Sequence, residues 1–95
     1  MATLFSARTT DGAGSCASHT GPCTVFAEND SVFDGCSVVV QAAAADTAGK
    51  YVTIGQPGQL TSPGAIAVNI QGTYFLRGVV NRAGSSTSIN LVTTQ

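Results

Sequence analysis

Apolar positions along this chain recur in steps of two rather than at helical spacing, and turn residues interrupt them about every 8 to 12 positions. Residues 3–8 form a first strand candidate, followed by a loop, TTDGAGS over 9–15, whose small polar residues and glycines suit a surface connection. A short strand over 16–19 is expected next, then a turn at Gly21 and Pro22, then a strand over 23–28 in which Thr24, Val25 and Phe26 supply β-branched and aromatic character. Asn29, Asp30 and Ser31 are turn chemistry again. The pair Asp34-Gly35 favours a tight connection with positive φ.

Residues 36–43, CSVVVQAA, form the clearest central strand, with an apolar run continuous enough to be buried on both faces. Residues 46–49 then predict a hairpin into a strand over 50–54, which Gln56, Pro57 and Gly58 break. Ser62, Pro63 and Gly64 break the chain once more before 65–70, where Ile66, Val68 and Ile70 alternate with Ala67 and Asn69. A long strand over 73–81, a hairpin loop over 83–86 and a last strand over 87–93, with Ile89 and Leu91 on one side and Ser88 and Asn90 on the other, complete the pattern. The good helix formers run only from Ala42 to Ala45, too few to nucleate a helix.

About eight short strands with this turn spacing predict an all-β fold, a two-sheet antiparallel β-sandwich or jelly roll. Its core is expected from Phe26, Val38, Val40, Val52, Ile54, Ile66, Val68, Ile70, Tyr74, Leu76, Val80, Ile89 and Leu91. The 95 residues make a single domain over 1–95. A chain of this size buries only about 60 to 70 per cent of the surface its unfolded form exposes. Both ends are β-prone, so residues 1–8 are also suited to act as an arm pairing with a neighbouring subunit.

Composition adds a surface property. Hydrophobic residues are 43% of the chain and charged residues only 9%, against about 25% charged in an ordinary soluble domain. The exterior must be largely neutral, which suits a chain packed against neighbours, where each desolvated charge would cost free energy unless paired. The net charge is −1 and the basic residues, Arg8, Lys50, Arg77 and Arg82, are scattered, so no nucleic-acid partner is expected. No secretory leader and no run of about 18 apolar residues is read in the sequence, so neither export nor a membrane is expected.

Candidate chemistry has an economical structural account at each point. Cys16, Cys23 and Cys36 read as free thiols, with a disulfide between two of them or a zinc site completed by His19 as the sharper alternatives. A thiol hydrolase would have to combine His19 with Cys16 or Cys23 and an orienting Asp11 or Asp34, without any nucleophile motif around them. Of the carboxylates Asp11, Glu28, Asp30, Asp34 and Asp46, four fall in predicted turns, where Asp serves backbone hydrogen bonding. Glu28, Asn29, Asp30 and Asp34 form a loose oxygen cluster without EF-hand spacing. The residues therefore point to a structural or binding role, to no enzyme and to no cofactor. Arg77, inside the apolar strand 74–80, reads either as a solvent-facing residue with its stem over Phe75 and Val79 or as an inter-subunit anchor.

The order of the segments carries a resemblance. ARTTDGAGS (7–15), GPCTVF (21–26), VFDGCSVVVQ (32–41), LTSPGA (60–65), GTYFLR (72–77) and AGSSTSI (83–89) follow one another. In this the chain resembles small β-sandwich virion proteins of tailed bacteriophages, the capsid decoration or cement type. It departs from them at 42–49, where a Ser-Pro-Asp-Gly-type turn and a Trp are common, and it has no Trp. The resemblance implies a protein on the capsid surface, assembled in the host cytoplasm. Its implied partners are the major capsid protein and further copies of itself, with a trimer as the expected oligomer. On this reading the lattice contacts fall on the N-terminal strand and the loop 9–15, through Thr9, Thr10 and Asp11. Self-association runs along 73–80, through Phe75, Arg77 and Val79. A tail or neck component and a carbohydrate-binding module, which would use Tyr51, Tyr74 or Phe75, are the alternatives.

Overall fold

The computed structural model describes residues 2–14, 16–47, 49–54 and 59–94. It is all-β, as the pattern predicts, with ten strand segments where about eight were expected, because two-residue segments at 12–13 and 59–60 are added to the expected set. They are β1 (Thr3–Arg8), β2 (Gly12–Ala13), β3 (Ala17–Thr20), β4 (Cys23–Ala27), β5 (Ser37–Ala43), β6 (Val52–Thr53), β7 (Gln59–Leu60), β8 (Gly64–Val68), β9 (Thr73–Asn81) and β10 (Ile89–Thr93). One sheet, A, has the order β1-β10-β4-β8. The other, B, is built on β9 and β5, with β2 and β3 along the free side of β9 and β6 and β7 along the free side of β5. All pairings are antiparallel, and the two sheets pack face to face as a sandwich.

The Asp34-Gly35 pair makes the tight connection expected of it. Asp34 and Gly35 have φ of 48° and 80°, and the Cys36 N–H donates to the Phe33 carbonyl at 2.9 Å, the two positive φ values of a type I′ turn. The N-terminal strand, suited to serve as an intersubunit arm, is paired with β10 of its own chain. Residues 12–13, expected in a loop, form β2 against Val80 and Val79. The expected strand over 50–54 shrinks to Val52–Thr53, and the predicted break at Gln56, Pro57 and Gly58 lies outside the described residues.

Strands β4, β8, β9 and β10 bury alternate residues. On β9 the buried set is Tyr74, Leu76, Gly78 and Val80, and on β10 it is Ile89, Leu91 and Thr93. β5 is central, but its outward residues Ser37, Val39 and Gln41 are only half-buried, so it is not covered on both faces as expected. Burying each Ile, Leu or Val fully contributes about 1.5 to 3 kcal/mol. Two of the expected core residues are outside it: Phe26 is 41% exposed and Val52 66%. Phe26 is out of phase with Cys23, Val25 and Ala27, which hold the inward positions of β4, and Val52 sits on a two-residue edge. Ile54 and Ile70 pack only partly against the core. The core instead gains Leu4, Phe5, Val25, Phe33 and Cys36.

Phe5 is the wedge between the sheets. Its ring fills the space where a Cβ on Gly14 or Gly78 would lie, and a Cβ on Gly78 would stand 2.6 Å from the Phe5 ring and 2.7 Å from Leu91 Cδ2. Glycine at 78 is therefore required by close approach, not by backbone conformation.

Candidate functional site

The alternation of β9 sends Phe75, Arg77 and Val79 to the outer face of sheet B, beside Val39 and Gln41 of β5. Arg77 lies directly opposite Gln41 in the ladder. Its Nε donates to Gln41 Oε1 at 2.9 Å, and its guanidinium carbon stands 4.0 Å from the centroid of the Tyr51 ring. A cation over a tyrosine face gains about 0.5 to 2 kcal/mol. The Tyr51 hydroxyl in turn donates to Asp46 Oδ1 at 2.8 Å. Cys16, which precedes β3, faces the same carboxylate. The Cys16 thiol and then the Tyr51 hydroxyl hold the Asp46 carboxyl below its usual value. The Asp46 acceptor and then burial push the Cys16 thiol up, while burial and then Asp46 push the Tyr51 phenol up. Gln41, Cys16, Asp46, Tyr51 and Arg77 thus form a small polar cluster that fastens Asp46 and Tyr51 to the outer face. It leaves the thiol protonated and poorly nucleophilic.

The other expected contact residues sit nearby. Thr9, Thr10 and Asp11 are exposed and lead into β2, which lies beside Val79. Their conformation is fixed from within: Arg8 Nε donates to the Thr10 carbonyl and Nη2 to the Asp11 carbonyl, both at 2.9 Å, and the Ala83 N–H donates to Asp11 Oδ1 at 2.6 Å. Phe75 lies four residues further along β9, about 13 Å from Val79. From Phe75 onward β9 lies between β5 on one side and β3 and β2 on the other, so residues 75–80 offer a neighbour chiefly their outer face.

His19 is the residue whose place the sequence did not reveal. It points into the sandwich at 2% exposure. Nδ1 lies 3.1 Å from the Ala17 carbonyl, which can only accept, so Nδ1 donates there, and Nε2 is hydrogen-bonded to the Thr93 hydroxyl at 2.8 Å. Its ring stacks against Tyr74 at 6.0 Å. Tyr74 donates to the Gly21 carbonyl at 2.6 Å and lies 3.5 Å from Cys23 Sγ, and burial raises its pKa. Cys16, Cys23 and Cys36 are free thiols, and burial raises that of Cys36. Among the described residues no three His, Cys, Asp or Glu side chains are placed to hold one metal ion. The carboxylates of the turns bond as turn residues do: Asp34 Oδ2 accepts from the Ser86 N–H at 2.9 Å, and Asp30 Oδ1 from Asn90 Nδ2 at 3.2 Å. Of the three aromatics a sugar could stack on, Tyr74 is buried, Phe75 half-buried and Tyr51 occupied by Arg77.

The outer face of sheet A was missed. Ladder registers place Thr3, Val92, Phe26 and Ala65 in one row across all four strands. Thr24, Ala67 and Thr94 form the neighbouring positions, and Pro63, Glu28 and Asn29 rim a shallow apolar depression beside Phe26. The sequence signal was the phase of β4, in which Phe26 falls between two inward residues. No family model matches this chain, and no curated protein or solved structure shows significant similarity to it.

Proposed function

We propose that this chain is a structural subunit of a tailed-phage virion that decorates and cements the capsid, docking on the coat protein rather than catalysing a reaction. The observation that carries the docking is the Phe26 face: a phenyl ring 41% exposed between Val92 and Ala65, with Thr3 beyond Val92 and Glu28 at the rim as the one charged residue beside it. Aromatic residues at the centre of an apolar, charge-poor patch are what protein interfaces concentrate. The phage assignment itself rests on the order of the sequence motifs, and the sandwich fold is the one that resemblance implies. A thin domain gains stability when many copies each bury a modest contact on a symmetric lattice.

The test is co-sedimentation with purified capsids stripped of accessory proteins. The wild-type chain is expected to rebind the shells. Phe26→Asp is expected to lose binding while keeping its melting temperature, because Phe26 contributes little to the core. A chain that ignores shells but binds isolated tails would move it to the tail or neck, and binding unchanged by Phe26→Asp would reject this face.

A further inference from the structure

Sheet A ends in two unlike edges. Along β1 the pairing with β10 slips twice, between Thr3 and Phe5 and between Phe5 and Arg8, Ala7 stands at φ 51°, and Arg8 closes the strand. Bulges and charges are the devices by which an exposed edge refuses a foreign strand. β8, at the opposite edge, has neither. It pairs with β4 over five consecutive residues without a slip, and no Lys, Arg, Asp or Glu occurs between Lys50 and Arg77. Sheet B needs no such guard, since its outer strands β2, β3, β6 and β7 have two to four residues each.

The direction of the β8 backbone follows from the far side of β4. Thr94 N–H donates to the Thr24 carbonyl at 3.0 Å and Glu28 N–H to the Asn90 carbonyl at 2.9 Å. Residues 24, 26 and 28 therefore turn their backbone groups toward β10, while Cys23, Val25 and Ala27 turn theirs toward β8. Their partners Val68, Ile66 and Gly64 are thereby used, and the N–H and C=O groups of Ala65 and Ala67 point away from the sheet. Both residues are exposed, and among the described residues no hydrogen bond from outside the strand reaches either of them.

We propose that β8 pairs antiparallel with β8 of a second copy of this chain, about a two-fold axis passing Ile66. Ala65 of each copy then stands opposite Ala67 of the other, and the two hydrogen-bonded pairs exchange about four N–H···O=C bonds. The sequence Ala65-Ile66-Ala67 is self-complementary across that axis: Ile66 of each copy stays in its own core, and only methyl groups meet on the outer face. The two four-stranded sheets become one, and the two Phe26 faces join into a single apolar surface. An isologous contact of this kind closes as a dimer, not as the trimer expected from the resemblance. It stands on the edge alone and is independent of the capsid reading. A single strand edge buries less than the roughly 1,200 Å² of a standard interface, so the dimer is concentration-dependent.

Analytical ultracentrifugation of the isolated chain up to about 1 mM, with amide hydrogen exchange at low and high concentration, tests the pairing. The expected result is a monomer–dimer equilibrium in which the Ala65 and Ala67 amides gain at least tenfold protection as the dimer fills. Ala67→Pro removes only an outward N–H, which an edge strand tolerates, and is expected to be folded by circular dichroism and monomeric throughout. Should that variant fail to fold, Ala67→Lys, which leaves the β4 ladder intact and sets a charge on the joint, is expected to weaken the dimer at least tenfold. A chain monomeric at every concentration, a trimer, a dimer whose Ala67 amide exchanges freely, or a folded variant that dimerises like wild type would overturn the proposal.

Discussion

His19 Nε2 and Thr93 Oγ1 lie 2.8 Å apart across the interior of the sandwich, one on β3 of sheet B and the other on β10 of sheet A, at 2% and 1% exposure. The Thr93 hydroxyl also accepts from the Ala2 N–H at 3.2 Å. One side chain therefore ties the N-terminal segment, the last strand and the opposite sheet together.

Thr93→Val keeps the shape and removes the hydroxyl, leaving the buried His19 Nε2 without its hydrogen-bond partner. The expected loss is about 1 to 3 kcal/mol in urea unfolding. Thr93→Ser keeps the bond and loses one methyl, at about 1 kcal/mol or less. A serine variant as unstable as the valine one would show that the hydroxyl contributes nothing.

Phe5 occupies the space above Gly78. Gly78→Ala places a methyl within contact of both Phe5 and Leu91 and is expected to destabilise by about 1 to 3 kcal/mol through overpacking. Phe5→Ala, which empties the wedge, is expected to cost about 3 to 5 kcal/mol. In the double variant Phe5→Ala with Gly78→Ala the loss should be smaller than the sum of the two single losses, a coupling read from a double-mutant cycle by denaturant titration.

Asp46, Cys16 and Tyr51 give a pH and a reactivity prediction. The folded carboxyl of Asp46 titrates below its ordinary 3.8 because the Cys16 thiol and the Tyr51 hydroxyl favour its charged form. Its contribution to stability is thus present above pH 3.8 and is lost as pH falls through the lower folded value. Tyr51→Phe should raise the Asp46 midpoint measured by side-chain carbonyl NMR. Cys16, although partly exposed, should alkylate more slowly than free cysteine at about pH 8.5, and Asp46→Asn should speed it several-fold. Equal rates in the two proteins would show that Asp46 does not hold the thiol.

Ala7 adopts φ 51° at the β1 bulge, a region costly for any residue with a Cβ. Ala7→Gly is expected to stabilise the chain by up to about 1 kcal/mol, the gain being offset in part by the greater freedom of glycine when unfolded. Thermal unfolding of the two proteins decides the sign.

Local pattern determined a good deal of this protein. The period-two alternation of Tyr74, Leu76 and Val80 and of Ile89 and Leu91, the Asp34-Gly35 turn, and the absence of any helical repeat follow from short-range sterics and from which face must leave water, and all are legible residue by residue. The scarcity of charge was legible too. Tertiary structure decided what depends on partners distant in sequence. Phe26 looked like core because it is large and apolar, but the inward phase of β4 belongs to Cys23, Val25 and Ala27. Phe5 became core only because Gly14 and Gly78 leave room for its ring. His19 looked like potential chemistry until Thr93, 74 residues away, supplied its buried partner. Arg77 could not be given its partners from the sequence, because Tyr51 and Gln41 reach it only through the fold. Strand periodicity is set by each residue's immediate neighbours, whereas the phase, the wedge and the buried hydrogen bond exist only once the sheet that joins the two ends of the chain packs against the sheet built from its middle.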